Sequence, residues 1–237
     1  MNYLILGING EVGKAIFKDL YNSKDNFILT YNSKKPNFKN KNIFLYQLSF
    51  EKIKNNINKI KKIIKKFKKI DIVINNVGDA NPYKDILKIK HVDFDTSMKI
   101  NFYSPLYIIL EIIKKSLISK SKLNIINISS NTIKFFGSQN NTTYLVSKNA
   151  LEVSLLNLSK SFTKKNIKIN IIRPGLIKTN MKKNVKNYSE RNFLERKKLV
   201  PIGKPGDPKD ISNMVSFLVS DKSKFSFGEI FTVSGGE

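Results

Sequence analysis

The chain has 237 residues with no cysteine and one histidine, and 43 Lys and Arg against 18 Asp and Glu leave a formal net charge of +25. The lack of thiols excludes disulfides, thiolate metal sites and cysteine nucleophiles, and a lone His91 in a polar stretch reads as a solvated loop residue rather than a zinc ligand or triad base. No apolar run approaches the roughly 20 residues of a membrane span, and an apolar strand directly after Met1 leaves no room for a signal peptide, so a soluble cytoplasmic protein is expected.

The first strand, Asn2–Leu6 (NYLIL), runs straight into Gly7-Ile-Asn9-Gly10-Glu11-Val12-Gly13 and then a helical pattern through Ala15, Ile16 and Leu20. Strand, glycine loop and helix in that order is the setting in which glycines permit a tight turn and close backbone approach to a dinucleotide pyrophosphate, with the helix N-terminus facing the phosphates. Gly7, Asn9, Gly10, Val12 and Gly13 are therefore the first candidate cofactor residues. Glu11 is unfavourable beside a pyrophosphate unless it points away. The second strand, 27–31, would end in an acid if it gripped the ribose 2′-hydroxyl of NAD. It continues instead into Ser33, Lys34 and Lys35, a hydroxyl and two cations suited to the 2′-phosphate of NADP(H).

A third strand is expected at 43–48. The lysine-rich run 52–69 follows, and its isoleucines at 53, 57, 60 and 64 with Phe67 recur at helical spacing. Its lysines then form the outer face of a packed helix, and aromatic interleaving of the kind single-strand binders use is nearly absent, so a solvated basic surface is expected rather than a nucleic-acid groove. A fourth strand, 70–74, leads into Asn75-Asn76-Val77-Gly78, and 95–114 reads as one long helix containing Asn101.

The fifth strand, Leu123–Ile128, opens the stretch NISSNTIKFFGSQNNTTYLVSK, which offers Ser129, Ser130, Tyr144 and Lys148. Residues i and i+4 share a helix face, so Tyr144 and Lys148 stand side by side. A close ammonium favours the phenolate, and lowering a tyrosine pKa from about 10 to about 7 takes roughly 4 kcal/mol of differential stabilisation. Tyr144 is thus the candidate proton donor, with a serine hydroxyl to hold the substrate oxygen. A second Tyr-x-x-x-Lys, Tyr31 to Lys35, lies in a turn-like Asn-Ser context before Pro36 and reads as loop. The helix 142–164 is apolar enough for core and for a partner subunit, so a homo-oligomer, a dimer or a homotetramer, is expected. The sixth strand, 167–172, ends in Arg173-Pro174-Gly175-Leu176-Ile177-Lys178-Thr179, and the polar, weakly periodic segment 180–204 has the character of a lid.

These motifs together resemble the short-chain dehydrogenase/reductase family over essentially the whole chain, and the segments Pro201 to Ile211 and Phe231 to Gly236 are closest in pattern to its 3-oxoacyl-acyl-carrier-protein reductases. There are departures: the glycine loop is G-x-x-G-x-x-G, Leu6 replaces a threonine, Glu11 stands where the middle glycine falls, and Ser234 replaces an aspartate before Gly-Gly. The resemblance implies a single Rossmann-type domain over 1–237: an α/β doubly wound parallel sheet of about seven strands with helices on both faces. It implies an NAD(P)-dependent oxidoreductase moving a hydride between nicotinamide and a carbonyl or alcohol. Tyr144 would protonate the alkoxide, Ser130 (or Ser129, since the serine-to-tyrosine spacing is one longer than usual) would hydrogen-bond it, and Lys148 would lower the tyrosine pKa and bind the nicotinamide ribose. Asn101 would bend its helix and hold a water for a proton relay. Gln47 and Leu48 would meet the adenine; Asn75, Val77 and Gly78 would shape the cofactor pocket; Pro174, Gly175, Ile177 and Thr179 would turn around the nicotinamide. No metal is implied. An acidic acyl carrier protein would dock on Lys120 or Lys122 and Lys164 or Lys165 beside the pocket mouth. A sugar, polyol or small-alcohol oxidoreductase and a non-catalytic NADP-binding sensor remain the alternatives.

Overall fold

The computed structural model describes residues 1–180, 185–186 and 188–237. Seven parallel strands form one sheet in the order β3-β2-β1-β4-β5-β6-β7. They are β1 (Asn2–Leu6), β2 (Asn26–Tyr31), β3 (Ile43–Gln47), β4 (Ile72–Asn75), β5 (Leu123–Ile128), β6 (Ile167–Pro174) and β7 (Ile230–Val233). The five inner strands are near-continuous apolar runs because both of their faces are covered. β4 starts two residues later than the isoleucine run suggested, because Ile70 packs in the core ahead of the ladder.

Helices α1 (Glu11–Leu20) and α7 (Pro208–Val219) cover one face, where Ile16 and Phe17 meet Ile211, Val215 and Leu218 over Ile5, Ile74, Ile126 and Ile172. The other face carries α2 (Ile53–Phe67), α4 (Ser104–Ser119) and α5 (Thr142–Phe162), with Ile60, Ile63, Ile108, Ile112, Leu151 and Leu155 over Leu4, Leu6, Val73 and Ile125. On α2 the apolar stripe is buried and most of the lysines face solvent. Its buried Asn56 donates from Nδ2 to the Ser49 carbonyl (2.7 Å) and to Ser104 Oγ (2.8 Å), tying the helix to the start of α4.

The long helix expected at 95–114 is three pieces. α3 (His91–Met98) begins four residues earlier, a π-turn spans Lys99–Tyr103, and α4 follows. His91 is therefore the first residue of a helix rather than a loop residue; it is solvated, 3.4 Å from Asp95. The π-turn has a covalent cause in the sequence: residue 105 is proline and cannot donate to the carbonyl of Asn101, four residues back. Helix α6 (Glu190–Lys198) lies within the segment expected as a lid, of which 181–184 and 187 fall outside the described residues. No helix among the described residues is long and apolar enough to cross a membrane.

The strand order reverses between β1 and β4, and in open parallel sheets the crevice at such a point, beyond the strands' C-terminal ends, is where ligands sit. Here the glycine loop comes close to the chain's own backbone. A Cβ on Gly13 would lie 2.6 Å from the Gly7 carbonyl oxygen, whereas one on Gly10 would meet only Asn76 Nδ2, at 3.6 Å. Gly13→Ala should therefore destabilise the fold by about 1–3 kcal/mol in urea unfolding. Gly10→Ala should unfold close to wild type; equal losses would refute this account of the loop.

Candidate active site

The glycine loop is held from both sides. Gly7, in the left-handed region at φ 82°, donates its N–H to Thr30 Oγ1 (3.1 Å) and accepts from Asn76 Nδ2 (3.0 Å), and Ile8 N–H donates to the Thr30 carbonyl (3.0 Å). Val12 packs against the α1–α7 core, and Asn9 Nδ2 reaches the Lys34 carbonyl (2.7 Å), joining the loop to the end of β2. α1 starts after Gly10 with no side-chain cap, leaving its first-turn N–H groups for a ligand. Glu11 does point away: its carboxylate accepts from the Asn180 N–H (2.7 Å) and from Asn180 Nδ2, fastening the loop after β6 to the start of α1. This uncapped helix and glycine-lined cradle fit a dinucleotide pyrophosphate.

Ser33, Lys34 and Lys35 are exposed. Lys34 and Lys35 line a cleft of about 690 Å³ together with Asn9, Lys14, Lys18 and Phe38, a cationic setting for an anionic group. Gln47 is exposed and gives its Nε2 to the Asn32 carbonyl (2.9 Å), while Leu48 is fully buried and donates its N–H to the Tyr31 carbonyl (2.9 Å).

At the ends of β4 and β5 the remaining expected residues converge. Lys148 is buried, and its ammonium donates to the Val77 carbonyl (2.8 Å) and the Ile128 carbonyl (2.7 Å). Asn75 Nδ2 donates to Asn127 Oδ1 (2.7 Å) across the same two strands. Asn101, fully buried in the π-turn, accepts from the Asp79 N–H (2.8 Å) and donates to the Asp79 carbonyl (2.9 Å) and to Ser147 Oγ (3.0 Å). Ser147 Oγ in turn donates to the Tyr144 carbonyl (2.9 Å). The two serines differ: Ser130 Oγ lies 2.8 Å from Thr132 Oγ1 and acts on the Tyr144 phenol, whereas Ser129 Oγ is buried without a partner. Beyond β6, Gly175 N–H donates to the Val233 carbonyl (2.9 Å), Ile177 is buried and bridges to Gly206, and Pro174 and Thr179 are half-buried at the same strand end.

The electrostatics run opposite to the sequence expectation for the tyrosine. Burial pushes the Tyr144 phenol up to about 12, the Ser130 hydroxyl offsets part of the rise, and the charge of Asp79 adds to it. Lys148 does not counter this, since its ammonium is engaged by two carbonyls with its Nζ 6.0 Å from the Tyr144 ring centroid. Burial also lowers Lys148 to about 8, against the charge of Glu152 one turn further along α5. Glu152, itself buried, pairs with Arg173 at the end of β6. Asp79, Glu152 and Arg173 were missed in the sequence: Asp79 follows the Asn-Asn-Val-Gly turn and Arg173 opens the Arg-Pro-Gly run, but neither setting says what the side chain meets, and only Glu152, four residues after Lys148, was open to a spacing argument.

One placement needs correction. Leu123 N–H donates to the Asn166 carbonyl, so Lys122 and Lys165 sit together, but at the beginnings of β5 and β6. Ser130 lies eight residues beyond Lys122, about 25 Å along an extended strand, so these lysines do not flank the mouth of their own chain's site. Among the described residues, no group of three His, Asp or Glu is placed to hold a metal ion.

A family profile described as Enoyl-(Acyl carrier protein) reductase matches residues 13–237. The 3-oxoacyl-acyl-carrier-protein reductase FabG of Buchnera aphidicola subsp. Acyrthosiphon pisum is 30% identical over 237 residues, 98% of this chain and 95% of that protein. The enzyme of the same description from Rickettsia felis is 30% identical over 235 residues, with the same two coverages, 98% and 95%. Among solved structures, a short chain dehydrogenase family protein of Francisella tularensis subsp. tularensis SCHU S4 superposes with a TM-score of 0.85 at 26% identity, covering 99% of this chain and 97% of that one. ElxO with NADP bound superposes with a TM-score of 0.84 at 25% identity and the same coverages.

A buried lysine lowered from 10.5 to about 8 costs the folded state stability at neutral pH. The unfolded chain binds more protons between those values, so the cost is full below pH 8 and is relieved as pH rises to 10.5. Relative to Lys148→Met, wild type should therefore gain roughly 3 kcal/mol across that window, read by urea unfolding at pH 7, 9 and 10.5. A constant difference would mean that Lys148 is not held as described.

Proposed function

The chain belongs to the short-chain dehydrogenase/reductase family, and from that premise we propose that this oxidoreductase is an NADP(H)-dependent reductase of 3-oxoacyl chains carried on an acyl carrier protein. The observation that carries the reading is the match to 3-oxoacyl-acyl-carrier-protein reductases over 98% of this chain and 95% of the relatives, combined with the convergence of Ser130, Tyr144, Lys148 and Asn101 at the ends of β4 and β5.

A bound NADP(H) supplies the hydride for the carbonyl carbon. The chain's own residues do the rest. The glycine loop from Gly7 to Gly13 and the uncapped start of α1 hold the pyrophosphate, Lys34 and Lys35 with Ser33 meet the 2′-phosphate, and Gln47 and Leu48 border the adenine. Val77, Gly78, Pro174, Gly175, Ile177 and Thr179 line the nicotinamide end. Ser130 donates to the substrate oxygen, Tyr144 gives its proton to the developing alkoxide, and Lys148 supplies the positive charge beneath. Asn101 holds Asp79 and Ser147 so that the ends of β4 and α5 keep their spacing, and its place beside Ser147 suits a proton relay through a water. The segment 180–204, with α6 in it, covers the substrate. The single domain 1–237 acts as a homo-oligomer through the exposed apolar side chains Tyr103, Tyr107 and Ile118 on and beside α4 and Val146 and Val153 on α5. It works in the cytoplasm beside an acidic carrier, which the +25 net charge attracts. A second reading, reduction of a sugar, polyol or small hydroxyketone, is favoured by the carboxylate of Asp79 near Tyr144.

The test is NADPH oxidation at 340 nm with a carrier-linked 3-oxoacyl substrate and a panel of hydroxyketones. Turnover of the carrier-linked chain is expected, falling as salt rises; no turnover of it, with turnover of hydroxyketones, transfers the function to the second reading. Tyr144→Phe should bind NADPH normally and lose kcat by several orders of magnitude, with Tyr31→Phe close to wild type. Reduction should decline above about pH 8, as Lys148 loses its charge while Tyr144 keeps its proton. Replacing Lys34 and Lys35 by alanine should weaken NADPH and spare NADH.

A further inference from the structure

Asp79 is the first residue after the Asn-Asn-Val-Gly turn, and its backbone is the most firmly held part of the site. Both of its peptide groups are bonded by the fully buried Asn101. The carboxylate is half-buried, and Oδ1 accepts from the Asn81 N–H (3.0 Å) and from Asn81 Nδ2 (2.9 Å). Among the described residues Oδ2 takes no hydrogen bond and no lysine or arginine pairs with Asp79. The nearest catalytic-site cation, Lys148, is turned to the Val77 and Ile128 carbonyls. In a chain carrying 43 lysines and arginines, Asp79 has no ion pair among the described residues, and its charge adds to the rise of the Tyr144 phenol.

A loop fastener alone needs only one acceptor oxygen, which Oδ1 or the amide of an asparagine provides. The second oxygen and the negative charge are left on the loop that Asn101 ties, through Ser147, to the Tyr144 carbonyl, beside the turn of α5 that carries the proton donor. Resting on the reductase reading above, we propose that Asp79 is a charge filter: it excludes substrates with an anionic group beside the reacting carbonyl and accepts those in which that group is neutral or a hydrogen-bond donor. A free 3-oxo acid is repelled, a thioester or ester of the same acid is not, and a neighbouring hydroxyl or ammonium is held by Oδ2. Masking the carboxyl as a carrier thioester then becomes a condition for entry as well as a means of delivery. Specificity of this kind arises from a built-in repulsion rather than from added affinity.

The experiment compares three small ketones of similar size with NADPH as reductant: acetoacetate, ethyl acetoacetate and protonated 4-amino-2-butanone. In wild type the ester should exceed acetoacetate in kcat/KM by tenfold or more, the scale of a like-charge contact in a partly dry site (about tenfold per 1.4 kcal/mol). In Asp79→Asn the ester-to-acid ratio should fall about tenfold and the ammonium-to-ester ratio should fall with it. Asp79→Glu should restore most of the discrimination, which a merely structural role would not do. Raising ionic strength should compress the wild-type ratio and leave that of Asp79→Asn flat. If Asp79→Asn, with an unfolding midpoint near wild type, keeps the wild-type ratios within twofold, the filter is refuted. If wild type reduces none of the three ketones, the reductase reading is judged separately with the carrier-linked 3-oxoacyl substrate, and the filter is judged by calorimetry on the NADPH-loaded protein. There, Asp79→Asn must tighten acetoacetate and weaken the ammonium ketone, and unchanged affinities overturn the proposal.

Discussion

Everything chemical in this fold hangs on one buried ammonium. Lys148 Nζ donates to the carbonyls of Ile128, the last residue of β5, and Val77, two residues past the end of β4, while its own backbone belongs to α5. Parallel strands end with carbonyls that the ladder no longer uses, and buried carbonyls must find donors. A lysine rising from the crossing helix satisfies two at once and sets the height of α5 over the sheet. The placement of Tyr144, one turn earlier on that helix, and of Ser130, two residues past Ile128, follows from the same clamp. The charge that does this is costly to bury, and the lowered pKa of Lys148 is the sign of that cost.

The cost is moderated by a charge chain rather than by a single partner. Glu152 lies one turn beyond Lys148 on the inner side of α5 and is held by Arg173, the residue before Pro174 and Gly175. A bare glutamate there would be a buried, unpaired charge, and a bare Lys148 would drift further towards neutrality. With Arg173 closing the line, the net field on the lysine stays favourable and the Pro-Gly turn is tied to the helix that carries the tyrosine. Breaking one partner of such a line generally costs more than the line contributes, because it strands the others.

The sheet was legible because the inner strands are largely apolar runs closed by turn signals, and the glycine loop because close approach leaves room for no side chain at Gly13. The lysine face of α2 was legible from periodicity alone. Helix 95–114 was misread as continuous because a π-turn does not disturb apolar spacing; the cue was Pro105 four residues after Asn101, a covalent defect in the hydrogen-bond ladder rather than a pattern. Spacing placed Tyr144 beside Lys148, yet it said nothing of what the ammonium was bonded to, so the expected fall of the tyrosine pKa became a rise. Glu11 looked misplaced in a phosphate cradle and is instead a fastener to Asn180, a partner 169 residues away that no local reading finds.

Asp79 shows why the overall charge and the charge of the site must be argued separately. The positive surface acts over a Debye length, steering acidic partners towards the protein, and salt weakens it. The carboxylate acts over a few ångströms in a partly dry pocket, where the same salt reaches it less. The two fields select different things. On the reading proposed above, the outer one gathers anionic carriers, and the inner one refuses an anionic group beside the reacting carbonyl. An acyl chain presented as a thioester on an acidic protein meets both conditions, whereas the free acid of that chain meets only the first. A hydroxyketone meets the second without the first. If the proposed filter holds, the opposition between a basic exterior and an acid with no ion pair among the described residues near the tyrosine is itself a statement about substrate: negative charge is welcome at a distance and unwelcome at the carbonyl.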